Sequence, residues 1–360
     1  MTAEPGTTAR GTTSPDAAEP GAAEPARRRT WATGLGTGRW GVLLPAAGCA
    51  AAAAVLFFCY LRISATMAIE SDGGADALQA WAILHGNLLL HGWHLPAVSF
   101  YTLDLPEYLL IELARGLGAD VIHIGAAATY TLLVLLAAML ARGRATGRQA
   151  AVRMLIAAGI LIAPELGSGV KTLLESPDHV GTAALVLGTW LLVDRAPRRW
   201  YVPPAVTLLL AAGVIADSTV VVTGVLPLVL IGAVRAYQAR IMRGQPLRSV
   251  RRELTLAAAA LAAAAAARAV LALISAAGGF TMAPAGVNLV AFGDLPRHVL
   301  DAADALLLLF GADFTGRNLD VAAGTWQTVW DLQDASRYHG FVILDDATLG
   351  RVSKGNRLAF

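Results

Sequence analysis

The chain of 360 residues is 56% hydrophobic and only 15% charged, with a mean hydropathy of +0.57 and a formal net charge of +2. Soluble domains carry about 25% charged residues, so this composition excludes an ordinary soluble protein. The sequence lacks a Walker loop, a dinucleotide-binding glycine motif and a catalytic serine motif, which excludes the enzyme classes that depend on them. We therefore predict an all-α polytopic membrane protein.

The N-terminal region combines a polar arm with a first apolar run. Residues 1–40 are rich in Ala, Gly, Thr and Pro and predict a disordered cytoplasmic arm, because they bury too little apolar area to offset chain entropy. Residues 41–61 then carry no charge over 21 positions. That length gives about 31 Å of helix, enough to cross a bilayer core of about 30 Å and too long for a signal peptide. We therefore expect a membrane anchor with its N-terminus in the cytoplasm.

Six further apolar runs predict additional spans near residues 121–141, 154–165, 181–193, 201–216, 219–234 and 254–275. Arginines cluster in alternate connections, at 142–153, 195–199 and 235–252, whereas the other connections are acidic. The positive-inside rule then predicts about seven transmembrane helices in the bacterial plasma membrane, with residues from about 276 outside. The bundle would occupy 41–275, followed by an outer-face segment at 276–324 and a polar tail of unknown structure at 325–360.

The first outer loop, residues 62–120, is long and partly apolar. It opens with Glu70 and Asp72, and the glycines at 73 and 74 are expected to let the backbone turn. Apolar residues at helical spacing from Leu78 to Leu88, ending at Pro96, and a second apolar stretch at 107–117 predict two interfacial helices. These helices either roof a lipid-facing cavity or cap the bundle. A third interfacial helix is expected at 299–310.

This order of elements resembles the GT-C type of membrane glycosyltransferase, particularly actinobacterial proteins of that type, over residues 41–315. The resemblance implies transfer of a sugar from a polyprenyl-phosphate carrier to an acceptor on the outer face, without a nucleotide cofactor. It also implies that Asp72 is the general base or a metal ligand, with Glu70 as the second candidate and Mg²⁺ or Mn²⁺ as the metal, if any. The polar end at 325–360 departs from the family, which predicts a truncated or divergent C-terminus.

Carboxylates suit these roles, because an acceptor hydroxyl must lose its proton as it attacks, and a cation could neutralise the leaving phosphate. The alternative for Glu70 and Asp72 is a solvated helix end. Lys171 either binds the leaving phosphate or snorkels to the interface. Asp178 and His179 either face the same cavity as Asp72, binding phosphate or acceptor, or Asp178 caps the next helix.

Asp217 occupies a very short connection close to hydrocarbon, which makes it a candidate substrate-binding residue or a loop cap. His85, His91 and His94 have a spacing that matches no metal motif, so structural roles are expected.

Two other functions compete with sugar transfer: a non-catalytic scaffold or inactive homologue, and a transporter or lipid flippase. The transporter is weaker, because only Arg268 is a charge clearly inside a span and no inverted repeat is visible. The expected partners are the bilayer and a polyprenyl-phosphate-linked sugar, with no nucleic acid.

Overall fold

The computed structural model describes residues 40–163, 172–196, 199–284 and 291–308. Lys171, the tail at 325–360 and nearly all of the predicted arm at 1–40 lie outside these residues. Contacts divide the chain into two units, 1–48 and 49–360, and the packing described below lies within the second.

The described residues form ten α-helices and two very short strands. The helices are α1 (Trp40–Ser64), α2 (Ser71–Leu84), α3 (Asp104–Arg115), α4 (Ala119–Arg142), α5 (Gly147–Leu161), α6 (Asp178–Arg195), α7 (Val202–Ala216), α8 (Leu226–Tyr237), α9 (Arg251–Ala276) and α10 (Leu295–Leu308). Short π-helical segments, Val221–Val225 and Gln238–Met242, extend α8 at both ends. Strands β1 (His94–Leu95) and β2 (Thr281–Met282) pair in parallel. Within the described part of the chain, the prediction of an all-α fold is thus confirmed apart from these two short strands.

Four helical segments are long and apolar enough to cross a membrane: Ala47–Ser64, Ala119–Arg142, Val221–Met242 and Leu247–Ala276. The other three predicted spans correspond to α5, α6 and α7. Helices α5 and α7 have 15 residues each, about 22 Å of helix, which is shorter than a bilayer core. Helix α6 has 18 residues but includes three charged side chains at its ends. The structure therefore supports a membrane protein with four candidate spans among the described residues.

The helices pack around two main apolar clusters. Helices α6 to α9 share one, in which Val206, Leu210 and Ala260 are fully buried. Helices α1, α4 and α6 share the other, where the rings of Tyr60 and Tyr130 meet edge to face at 4.8 Å. Both tyrosine hydroxyls donate to backbone carbonyls at the end of α5. These bonds satisfy carbonyls that a helix C-terminus leaves without partners, and so they fix α5 to the bundle.

The first outer loop differs from its prediction in two places. Gly73 and Gly74 lie inside α2 and form no turn, since the helix begins at Ser71. The same helix ends at Leu84, well before Pro96, because Gly86 adopts a φ of +95° and breaks the helical path. The other two predicted interfacial segments are helical, as α3 and α10.

The histidines of this loop have structural contacts. His91 Nδ1 lies 2.6 Å from the carbonyl oxygen of Gly278, and His94 Nδ1 lies 2.7 Å from Thr281 Oγ1. Together with the β1–β2 pairing, these bonds attach the loop to the segment that follows α9. His85 Nδ1 lies 2.8 Å from the carbonyl of Trp81 within its own helix region.

Candidate acidic active site

Five carboxylates converge where α2 and α3 pack against the first turns of α4 and α6. Glu70 precedes α2, Asp72 and Asp76 lie one turn apart on α2, Asp104 begins α3, and Asp178 begins α6. We call this group the acidic centre. Its members influence one another electrostatically, since Asp178, Asp72 and Glu70 all act on Asp76. The structure thus brings the predicted residues Glu70, Asp72 and Asp178 into one site.

Glycines let the helices approach closely enough to form this site. A Cβ atom added to Gly73 would lie 3.0 Å from Ser176 Cβ, and one added to Gly181 would lie 2.5 Å from Asp104 Oδ1. Real Cβ atoms do not approach a neighbouring oxygen so closely, so a side chain at position 181 would displace the Asp104 carboxylate. Gly73 and Gly181 therefore leave the space that Ser176 and the Asp104 carboxylate occupy.

Asp76 and Asp104 form the buried part of the acidic centre, with only 5% and 1% of their surfaces exposed. One oxygen of each, Asp76 Oδ2 and Asp104 Oδ2, is buried without a hydrogen-bond partner among the described residues. Burial, followed by repulsion from neighbouring carboxylates, raises the pKa of Asp76 to about 8 and that of Asp104 well above its ordinary value. Without a cation, burial therefore favours the protonated form of both groups.

Ser176 links Glu70 to Asp178. Its hydroxyl is in hydrogen-bond contact with Glu70 Oε1 and with Asp178 Oδ2. A hydroxyl has one hydrogen to donate, so the second contact requires a proton on one of the two carboxyl groups. Burial, and then the interaction with Asp178, raises the pKa of Glu70 to about 7. Glu70 is therefore partly protonated near neutral pH.

The side chain of Asp178 does not cap α6, because Oδ1 has no hydrogen-bond partner among the described residues and Oδ2 contacts the Ser176 hydroxyl. Its φ of +34° is in the left-handed region, which is unfavourable for a residue with a side chain. Phe100, whose ring meets that of His179 at 5.8 Å, also has a positive φ of 46°. Two such residues beside one cluster of charges indicate a local conformation that the surrounding packing imposes.

His179 and Asp217 form a hydrogen-bonded pair next to the acidic centre. His179 Nδ1 lies 2.6 Å from Asp217 Oδ2, and the backbone N–H of Thr219 donates to Asp217 Oδ1 at 2.8 Å. The hydrogen bond with Asp217 raises the pKa of His179. Although burial opposes it, the bonds from His179 and Thr219 lower the pKa of Asp217 to about 2. Asp217 therefore stays ionised and holds the imidazole with Nδ1 protonated.

Asp72 is the accessible member of the acidic centre. Its side chain is exposed and lines a small cavity of about 80 Å³ together with Asp76, Gln79, Trp93, His94 and Phe100. Asp72 thus faces solvent, while Asp76 lies further inside the same cavity. A reacting hydroxyl can reach the first carboxylate without entering the buried part of the site.

A larger cavity, of about 410 Å³, lies at the opposite ends of α4 and α6. Arg144, Trp190, Asp194 and Arg252 contribute to its walls. Measured along α4, it is about 30 Å from the acidic centre. It contains none of the predicted site residues, so we place the chemistry at the acidic centre.

Three residues of this site were not predicted from the sequence: Asp76, Asp104 and Tyr108. Asp76 follows Asp72 by four positions, which places both on one face of a helix, and this spacing was a usable signal. Asp104 and Tyr108 had no such signal in the sequence, because only the packing of α3 brings them close to α2. Tyr108 is fully buried, and its hydroxyl has no hydrogen-bond partner among the described residues.

The predicted metal ligands, Asp72 and Glu70, are not the set that best suits a cation. Carboxylate oxygens of Asp76, Asp104 and Asp178 lie within 4.8 Å of one another, the one group of this kind in the described residues. Oxygen ligands of this type suit Mg²⁺, Mn²⁺ or Ca²⁺. The residues present therefore fit a divalent cation.

Comparisons with known proteins find no family model, no curated protein and no solved structure that matches this chain.

Proposed function

We propose that the chain is a membrane glycosyltransferase that moves a sugar from a polyprenyl-phosphate carrier to an acceptor hydroxyl on the outer face. One observation carries this proposal. An exposed carboxylate, Asp72, lines a small cavity together with one buried carboxyl group, Asp76. This arrangement suits a reaction in which a proton is removed at the surface and an anionic leaving group is stabilised nearby.

In the proposed reaction, the acceptor oxygen forms a bond with the anomeric carbon as the bond from that carbon to the phosphate oxygen breaks. Asp72 takes the proton of the acceptor hydroxyl, and the bonding electron pair leaves with the polyprenyl phosphate. Glu70, which Ser176 links to Asp178 by hydrogen bonds, is the second candidate to accept that proton.

His179 is suited to the leaving phosphate. Nδ1 of His179 is hydrogen-bonded to Asp217, so Nε2 is the nitrogen that can donate to a phosphate oxygen. Asp217 is therefore a positioning residue. Lys171 is proposed as a further phosphate-binding residue from its place in the sequence, and Asp178 as an acceptor- or phosphate-binding residue. A divalent cation held by Asp76, Asp104 and Asp178 would supply positive charge against the phosphate.

We also propose the complete topology: seven spans, including α5, α6 and α7, in the bacterial plasma membrane with a cytoplasmic N-terminus. The distribution of charge supports this orientation. The acidic centre lies at the beginning of α4, whereas Arg142 ends that helix. Arg195 and Arg252 bind backbone carbonyls of Met139 and Val193 at the same end as Arg142. Arginines favour the cytoplasmic side, so the acidic centre would face outward.

The first test is native mass spectrometry of the full chain purified in detergent. A bound polyprenyl-phosphate sugar that is depleted in Lys171→Ala supports the proposal and identifies the donor. Bulk phospholipid alone, with equal occupancy in Asp72→Asn and Lys171→Ala, would favour a scaffold or inactive homologue.

The second test uses the donor so identified with protein reconstituted in liposomes. Asp72→Asn should remove transfer while retaining the wild-type melting temperature. Asp120→Asn is the matched control, because Asp120 is an exposed carboxylate at the same end of α4, paired with Arg115. Equal loss in both variants would contradict the role of Asp72.

A further inference from the structure

We infer that Asp76, Asp104 and Asp178 form a binding site for one hard divalent cation, more deeply buried than the exposed Asp72. This inference deepens the proposed function and rests on it for the role of the cation, which is to stabilise the leaving phosphate. The binding itself is argued from geometry and can be measured without any transfer reaction.

The three carboxylates come from three helices and meet at one point. Their ligand oxygens lie within 4.8 Å of one another. In Mg²⁺, Mn²⁺ and Ca²⁺ sites the metal–oxygen distances are about 2.0–2.6 Å, so opposite ligands are about 4–5 Å apart. One ion can therefore contact all three groups with little movement of the helices.

Each of two ligands has one oxygen held by a side-chain donor and the other oxygen left without a partner. Gln79 Nε2 donates to Asp76 Oδ1 at 2.9 Å, while Asp76 Oδ2 is buried and unpartnered. Asp178 Oδ2 contacts the hydroxyl of Ser176, while Asp178 Oδ1 is buried and unpartnered. Metal-binding carboxylates are commonly oriented in this way by a donor on the oxygen that does not face the metal.

The third ligand, Asp104, is the most deeply placed, with 1% of its surface exposed and Oδ2 unpartnered. No ion pair among the described residues involves Asp76, Asp104 or Asp178. Buried carboxylates without partners are costly for a protein. A single cation would satisfy three such oxygens at once, whereas protons alone would neutralise the groups without bringing them together.

The experiment uses the full chain in detergent after removal of metal with EDTA. Mn²⁺ is the probe, followed by the loss of its free-ion EPR signal and by the melting temperature. We expect one Mn²⁺ to bind per chain, with a rise in melting temperature that Mg²⁺ or Ca²⁺ also produces. Asp76→Asn and Asp104→Asn should each weaken Mn²⁺ binding at least tenfold, whereas the control Asp120→Asn should not.

The metal-free proteins provide an internal check on folding. Because each Asn variant removes a buried acid, its metal-free form should melt at or above the wild-type temperature. Gln79→Leu keeps all three ligands but removes the donor to Asp76, so it should weaken Mn²⁺ binding less than Asp76→Asn. Absence of Mn²⁺ binding by the wild type, or equal binding by Asp104→Asn, would overturn the inference in favour of carboxyl groups neutralised by protons.

The two proposals can fail separately. Mn²⁺ binding without a co-purified donor would support the metal site and count against sugar transfer. A bound donor and transfer that persists in EDTA, with no Mn²⁺ binding, would support the function and overturn the metal site.

Discussion

Replacing Glu107 by Gln should stabilise the protein at alkaline pH and leave its stability unchanged at acidic pH. Glu107 is half-buried on α3, and its Oε2 accepts a hydrogen bond of 2.5 Å from Thr129 Oγ1. Burial nevertheless raises its pKa from 4.5 to about 7. The folded protein therefore holds this proton more tightly than the unfolded chain does.

The sign and magnitude follow from that difference. A raised carboxyl pKa contributes stability that is fully present below about pH 4.5 and is lost as the pH rises through about 7. The difference between the two pKa values corresponds to about 3 kcal/mol. Gln keeps an acceptor for Thr129 and does not titrate, so Glu107→Gln should be more stable than the wild type by about that amount at pH 8.

The assay is thermal unfolding of the detergent-purified, metal-free protein between pH 4.5 and pH 8. Titrating groups that do not interact with Glu107 affect both proteins equally and cancel in the difference. Asp120→Asn controls for the loss of one exposed carboxylate. A difference between Glu107→Gln and the wild type that does not change with pH would refute the reasoning. Thr129→Val, which removes the hydrogen-bond donor, should move the loss of stability to a higher pH.

Three further predictions concern packing and the histidine pair. Gly125→Ala should destabilise the fold by about 1–3 kcal/mol, because the added Cβ would lie 2.8 Å from Tyr108 Cε1. Denaturant unfolding measures this loss, and an unchanged midpoint would show that α3 can move. Tyr130→Phe removes a hydroxyl bonded to the end of α5 and should cost about 1 kcal/mol in the same assay. Asp217→Asn should lower the pKa of His179, because the imidazole loses its ionised partner. The pKa can be measured by NMR of ¹³C-labelled histidine, and an unaltered titration would show that Asp217 does not control this imidazole.

The sequence was sufficient for properties that depend on composition and on local spacing. Long runs without charge, such as 41–61 and 121–141, identified α1 and α4 as membrane helices because a bilayer rejects unpaired charge over its whole thickness. The charged ends of α6 and the short length of α7 show the limit of that reasoning. A 15-residue apolar helix can span a thin region or pack inside a bundle, and hydropathy alone does not separate the two.

Part of the candidate site was also visible in the sequence. Glu70, Asp72, Asp178, His179 and Asp217 were predicted from charges placed at the ends of apolar segments, and the structure gathers them at one end of the bundle. What each residue contacts was not predictable. Asp178 could equally have been a helix cap, and only the fold shows that it faces Ser176 and Glu70.

The sequence by itself determined that the chain is largely helical, that some of its helices are apolar enough to cross a membrane, and that basic and acidic connections alternate along it. Only the tertiary structure decided that Asp104, some 30 positions after Asp72, belongs to the acidic centre, and that Gly73 and Gly181 allow close contact between helices. The physical reason is that charge and hydropathy act on each segment separately. The distance between carboxylates on α2, α3 and α6 depends instead on how three helices pack, which no local pattern encodes.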